Sequence, residues 1–134
     1  MMKNIIYLSA ITIIAFGSCQ NNAKTESLKY EEIGKETMVI HDEIMPKISH
    51  FDRATLKIDS LLQTNLEAST KDELIKLKSN LEQATDQMMT WMKDYAFDST
   101  NVAYQEAELV KIKAMKKQFD DVSLESNTKL SSFK

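Results

Sequence analysis

The chain has 134 residues, a formal net charge of −3, two glycines and one proline. This mildly acidic balance argues against nucleic-acid binding, which uses a basic surface, and gives no reason for electrostatic attachment to anionic lipid. The scarcity of glycine and proline argues against a sheet protein, because such a protein needs turn residues about every ten positions. We therefore expect one domain that is built from a few helices.

The N-terminal segment has the pattern of a secretory signal over residues 1–18. Lys3 precedes an apolar run from Ile5 to Phe16, and Gly17-Ser18 stands directly before Cys19. The run is too short for a membrane span, which needs about 20 residues. Cys19 is the single cysteine and cannot form an internal disulfide, so its position predicts cleavage and lipidation. The alternative is a plain cleaved signal with an incidental cysteine.

The residues that follow the signal are polar and short-sided. We predict a lipidated, flexible tether over residues 19–26 and one helical-bundle domain over residues 27–134. The segment Gln20-Asn21-Asn22 contains no acidic run of the kind that some surface-exposed lipoproteins carry. This favours a position that faces the periplasm.

The first predicted helix starts near residues 25–28 and has one apolar stripe. Apolar or small residues recur every three or four positions, which is the helical period, and the phase is kept across Pro46. Because proline removes one helical hydrogen bond, we expect either one helix kinked at Pro46, which we favour, or two helices nearly in line. The stripe consists of Ile33, Thr37, Ile40, Ile44, Ile48, Phe51, Thr55, Ile58, Leu62 and Leu66.

Two further helices are predicted from capping signals and apolar spacing. Residues 70–73 have the spacing of a capping box, and residues 99–101 offer the next N-cap. Short connections between long amphipathic helices imply antiparallel neighbours. The predicted fold is therefore all-α, an antiparallel bundle of three long helices, or four if Pro46 breaks the first. The stripes are Leu74, Leu77, Leu81, Ala84, Met88, Trp91, Met92 and Tyr95, and then Tyr104, Ile112, Met115, Phe119, Val122, Leu130 and Phe133.

Methionines form two clusters that are candidates for metal binding. Thioether and imidazole ligands suit Cu(I) in an oxidising compartment, and a tryptophan face could shield the ion by cation–π attraction. The alternative is that these side chains fill the core, because methionine packs flexibly. Noncovalent haem held by His41 and a methionine is a further alternative. The candidate ligands are His41, Met45, Met88 and Met92, with Met38 and Met89 as spares, beside Trp91.

The remaining polar residues predict no catalytic site. His50 falls on the side of the first helix opposite the stripe, and the adjacent pairs Asp42-Glu43 and Asp120-Asp121 diverge by about 100° on a helix. The sequence contains no glycine-rich phosphate loop, nucleophile elbow, His-Glu-x-x-His or calcium loop. We therefore expect a protein that is not an enzyme.

Two strings of the sequence resemble a known group of proteins. The residues from His41 to Lys47 and from Met88 to Met92 are similar to the signature of small helical lipoproteins of Bacteroidota, which are often labelled "viral A-type inclusion protein". The resemblance covers roughly residues 35–95 and the lipidated signal. It implies a helical lipoprotein, and it implies no established activity.

Together these patterns predict a membrane-anchored lipoprotein of the bacterial envelope, held on the outer membrane and facing the periplasm. It would act as an interaction or envelope-structural module. Its expected partners are the membrane, through the lipid on Cys19, and a protein of unknown identity, with no nucleic acid. The alternative function is binding of Cu(I) or another soft metal by the histidine and methionine cluster.

Overall fold

The protein is seen in a computed structural model that describes residues 19–133. Within that range the chain forms three helices and no strand: α1 (Cys19–Leu62), α2 (Ala68–Asp94) and α3 (Val102–Leu130). Each helix contacts the other two, and the short connections reverse the chain twice. The predicted all-α bundle of three helices is confirmed. The predicted signal, residues 1–18, lies outside the described residues.

Helix α1 is continuous through Pro46. The alternative of four helices is therefore wrong, and the favoured single first helix is what the structure contains. Pro46 is exposed. Water can therefore reach the carbonyl of Asp42, which has no N–H donor four residues later. The apolar phase is kept on both sides of the proline, so the packing of α1 stabilises it as one element.

The start of α1 differs from the prediction. The helix begins at Cys19, so residues 19–26 are helical and do not form the flexible tether that we expected. No glycine or proline interrupts this segment, and its residue types tolerate a helix. Residues 24–26 are exposed, and the first buried side chain beyond them is Ile33. The N-terminal turns of α1 therefore extend past the part of the helix that joins the core.

The core lies along the facing stripes of the three helices. Phe51 of α1 and Phe119 of α3 stack with ring centroids 4.9 Å apart and an interplanar angle of 8°. The stripes match the predicted ones closely, although Met92 is 38% exposed and belongs to the surface. The buried apolar residues are Ile33, Ile40, Ile44, Phe51, Ile58, Leu74, Leu77, Leu81, Ala84, Met88, Trp91, Ile112, Met115, Phe119, Val122 and Leu130.

The two predicted N-caps have different outcomes. Asn101 caps α3, because its side-chain oxygen accepts a hydrogen bond from the backbone N–H of Tyr104 at 3.0 Å. The capping box at residues 70–73 is wrong: α2 already begins at Ala68, and its N-cap, Glu67, makes no side-chain cap hydrogen bond. Residues 70–73 therefore lie inside the helix.

Ion pairs join α1 to α3 along one edge of the bundle. Asp120 accepts hydrogen bonds from Lys47 of α1 and Lys116 of α3. These bonds, with Lys47 first, hold the pKa of Asp120 below its ordinary value of 3.8. The partners run in the same order on both helices, so α1 and α3 are parallel. The other pairs are Lys29 with Glu106, Glu36 with Lys113, and Glu43 with Lys116.

We predict that Asp120→Asn lowers the free energy of unfolding at neutral pH and leaves it unchanged in acid. A carboxylate whose folded pKa is lowered contributes stability above its unfolded pKa, and this contribution is lost as the pH falls through the folded pKa. Because the Asp120 side chain is 44% exposed, we expect a difference from wild type of about 1 kcal/mol or less at about pH 7. Urea unfolding across the pH range measures it.

The matched control for this prediction is Asp121→Asn, because Asp121 pairs with Lys117 of its own helix and joins no second helix. We expect that variant to change stability by only a few tenths of a kcal/mol. A deficit of Asp120→Asn that stays constant down to about pH 2, below the unfolded pKa of aspartate, would contradict the assigned role of the carboxylate.

Candidate functional site

The two sequence strings that carry the resemblance, from His41 to Lys47 and from Met88 to Met92, meet in the bundle. The rings of His41 on α1 and Trp91 on α2 lie with centroids 6.3 Å apart at an angle of 37°. His41 Nδ1 lies 2.9 Å from Oδ1 of Asp42, and its side chain is 15% exposed. If Asp42 accepts the proton of Nδ1, the lone pair of Nε2 is free for a ligand. The candidate ligands of α1, which are Met38, His41 and Met45, therefore lie near Trp91, which stands among the candidate ligands of α2.

The methionines of the two clusters lie in different environments. Met88 is fully buried and belongs to the core, whereas Met89 is 51% and Met92 38% exposed. Met38 and Met45 are half-buried, and Met45 packs against the core. Residues 19–133 contain no group of three His, Cys, Asp or Glu side chains that could hold a metal ion.

A buried carboxylate, which sequence reasoning missed, supports Trp91. Glu108 is 6% exposed. Its Oε2 accepts a hydrogen bond from Nε1 of Trp91 at 2.8 Å, and its Oε1 accepts one from Nζ of Lys111 at 2.6 Å. The indole N–H would otherwise be a buried donor without a partner. Glu108 therefore fixes the position of the indole and has its charge balanced by Lys111.

Three aromatic residues, Trp91, Tyr95 and Tyr104, form a stack at the end of the bundle where α2 turns into α3. We call it the aromatic stack. The centroids of Trp91 and Tyr95 are 4.6 Å apart, and those of Tyr95 and Tyr104 are 6.3 Å apart. The Tyr104 hydroxyl accepts a hydrogen bond from the backbone N–H of Ala96 at 2.7 Å. The stack thus braces the connection between the two helices.

A second polar contact closes the same end of the bundle. The Tyr95 hydroxyl donates to Oε1 of Gln105 at 2.7 Å, and Nε2 of Gln105 donates to the carbonyl of Ser99 at 2.8 Å. Burial raises the pKa of Tyr95, so the phenol stays protonated and acts as a donor at neutral pH. Gly34 of α1 faces this hydroxyl, because a Cβ placed there would lie 4.0 Å from it.

A signal for the buried polar residues was present in the sequence. Gln105 and Glu108 continue the three-and-four spacing of the α3 stripe toward its N-terminus, ahead of Ile112. The prediction counted apolar positions and so left Gln105 and Glu108 out of the stripe between Tyr104 and Ile112. By contrast, His50 is exposed as predicted, and its Nδ1 lies 2.7 Å from Nη2 of Arg53.

Comparison with known proteins adds no identification. No protein-family model, no curated protein and no solved structure matches the chain. Among the described residues, no helix combines the length and the apolar character that a membrane crossing requires.

We predict that Glu108→Ala destabilises the fold by about 1–3 kcal/mol, because it leaves the indole N–H of Trp91 as a buried donor without a partner. Glu108→Gln should cost less, since its amide oxygen can still accept that bond. The control, Glu106→Ala, removes an exposed carboxylate that pairs with Lys29 and should cost about 1 kcal/mol or less. Urea unfolding followed by circular dichroism measures all three, and equal losses for Glu108→Ala and Glu106→Ala would contradict the assigned role.

Proposed function

We propose that this protein is a lipid-anchored helical lipoprotein that faces the periplasm and serves as an interaction or envelope-structural module without catalysis. The anchor would be a lipid on Cys19, which follows the apolar run and the small residues Gly17-Ser18. Acyl chains contribute about 0.8 kcal/mol per buried methylene, so two or three of them hold a protein on a membrane stably. The resemblance to small helical lipoproteins of Bacteroidota agrees with a lipid-anchored helical protein and implies no particular activity.

The unequal lengths of the helices carry this proposal. Helix α1 has 44 residues, whereas α2 has 27 and α3 has 29. Between Cys19 and the first buried side chain, Ile33, the helix rises by about 20 Å at 1.5 Å per residue. A lipid on Cys19 would therefore hold the bundle away from the membrane surface on a helical rod, as suits a module that presents a surface to a partner.

The chemistry of the buried polar groups supports a role without catalysis. Glu108 is neutralised by Lys111 and bonded to Trp91, and Gln105 is bonded on both its oxygen and its nitrogen. Tyr95, whose pKa is raised by burial, is a poor base at neutral pH. These groups connect the helices to one another, which is a structural task.

We predict that Cys19→Ser releases the protein from the membrane fraction and abolishes metabolic labelling with palmitate, since serine lacks the thiol that takes the lipid. Fractionation of cells that express each variant measures the distribution. Ser27→Ala, a small change in the N-terminal turns of α1, is the control and should stay in the membrane fraction. Retention of Cys19→Ser in the membrane with its label unchanged would overturn the proposed anchor.

A second candidate function is binding of Cu(I), and one observation favours it. The contact between His41 and Trp91 brings the ligands proposed on α1 and α2 to the same level of the bundle. Asp42, whose Oδ1 lies 2.9 Å from Nδ1 of His41, would orient the imidazole as carboxylates do when they accept a hydrogen bond from a metal-binding histidine. The ligands would be His41, Met45, Met88 and Met92, with Met38 and Met89 as spares, and binding by the buried Met88 would require local opening of the core.

We predict, for this second candidate, one saturable Cu(I) site when the protein is titrated without oxygen against a competing chelator. Binding should quench the fluorescence of Trp91, the chain's one tryptophan. The double variant His41→Ala with Met92→Leu should lose the site. The control, His50→Ala with Met115→Leu, removes the same two residue types elsewhere and should keep it. Equal binding by both double variants would exclude this candidate.

A further inference from the structure

An open groove of about 1050 Å³ lies between α2 and α3. Its floor is formed by buried side chains, Trp91, Met115 and Glu108, with the half-buried ring of Tyr104 at one end. Small and uncharged residues of the two helices, such as Ser79 and Ala114, leave the space above this floor open. The groove therefore has a mostly apolar and aromatic floor between the two helices.

Carboxylates line the rim of this groove. Glu82, Asp86 and Asp94 stand on α2 at separations of four and eight residues, so they lie on one i, i+4 ridge that winds around the helix by about 40° every four residues, in steps of about 6 and 12 Å along the axis. Glu82 lies 3.7 Å from Lys78, and the pKa of Lys111 is raised by its bond to Glu108 first and, more weakly, by the charge of Asp94. The one basic residue that lines the groove, Lys111, is bonded to Glu108. The rim thus carries more negative than positive charge beside a mostly apolar floor.

From this arrangement we infer that the groove is the docking site for a basic amphipathic helix of a partner protein. The part of α2 that lines it, residues 79–94, is about 22 Å long and accommodates a helix of about 15 residues. Such a helix would place an apolar stripe on Trp91 and Met115, as helices dock in grooves. Lysine or arginine at positions i and i+4 would meet the carboxylates of the rim, which complementary charge favours.

Docking of a helix there would complete a four-helix arrangement, in which each helix has two neighbours. Helix α3 of a second copy is a poorer occupant, because its lysines already pair within the chain: Lys113 with Glu36, and Lys117 with Asp121. The inference deepens the proposed role as an interaction module, on which it rests. It does not need the lipid anchor, so its failure is distinguishable from failure of the fractionation experiment.

The experiment uses the full chain in nonionic detergent micelles and a synthetic 16-residue helical peptide that lacks tryptophan, a length of about 24 Å. The peptide carries leucines on one stripe and lysines at i and i+4 beside it, and its counterpart has glutamate in place of lysine. Because Trp91 lies in the floor, its fluorescence reports occupation of the groove. We expect the lysine peptide to shift this emission saturably and the glutamate peptide to leave it unchanged.

The variant Asp86→Asn with Asp94→Asn should bind the lysine peptide about fivefold or more weakly at low salt, since two contacts between opposite charges are lost. The matched control, Glu31→Gln with Glu32→Gln, removes the same charge from exposed positions of α1 and should bind as wild type does. Equal weakening by both variants, or no change in the emission of Trp91, would overturn the inference. Sedimentation showing a peptide-free dimer that the Asp86 and Asp94 variant abolishes would overturn it in favour of a second copy.

Discussion

The structure depends on the burial of one long stripe of α1 against both other helices. Ile44 and Ile58 are fully buried along this stripe, and Phe51 stacks on Phe119 of α3. Burial of one such aliphatic side chain contributes about 1.5–3 kcal/mol, which exceeds what an exposed ion pair contributes. The lysine and carboxylate pairs between α1 and α3 therefore align helices that apolar packing has already brought together. This packing also explains why α1 runs unbroken past Pro46, whose lost hydrogen bond faces water.

Burial of large side chains also explains the hydrogen bonds at the end of the bundle where α2 turns into α3. Trp91 is buried where α2 turns into α3, and its indole N–H then needs an acceptor. Glu108 supplies that acceptor. Stacking of Tyr95 between Trp91 and Tyr104 then positions a second hydroxyl that needs an acceptor, which Gln105 provides. Glu108 and Gln105 are thus each bonded to a neighbouring aromatic side chain, whereas the buried hydroxyl of Thr37 has no hydrogen-bond partner among the described residues.

The sequence was sufficient for the class of fold and for most of the core, because apolar residues repeat at the helical period over long segments. It was insufficient where the burial of a residue or the start of a helix depends on residues that are far away in the sequence. Glu108 interrupts an apolar pattern and is buried only because Trp91 lies opposite. Residues 70–73 have a local capping pattern, yet α2 begins at Ala68. Met92 was placed in the core from spacing alone and lies at its edge, since the register between α1 and α2 decides which side of the stripe is covered.

The α2–α3 groove shows how a bundle of three helices can retain a surface for binding. Helices α2 and α3 both pack on α1. On the side away from α1 their surfaces diverge, and only bulky side chains there would close the gap between them. The chain places serine, glutamine, threonine and alanine along that side, at positions such as Ser79, Thr90 and Ala114. Larger apolar residues at those positions would close the groove by packing on Met115. Keeping the groove open leaves apolar surface in water, at about 25 cal/mol per Å², which is a cost that a docking partner would remove.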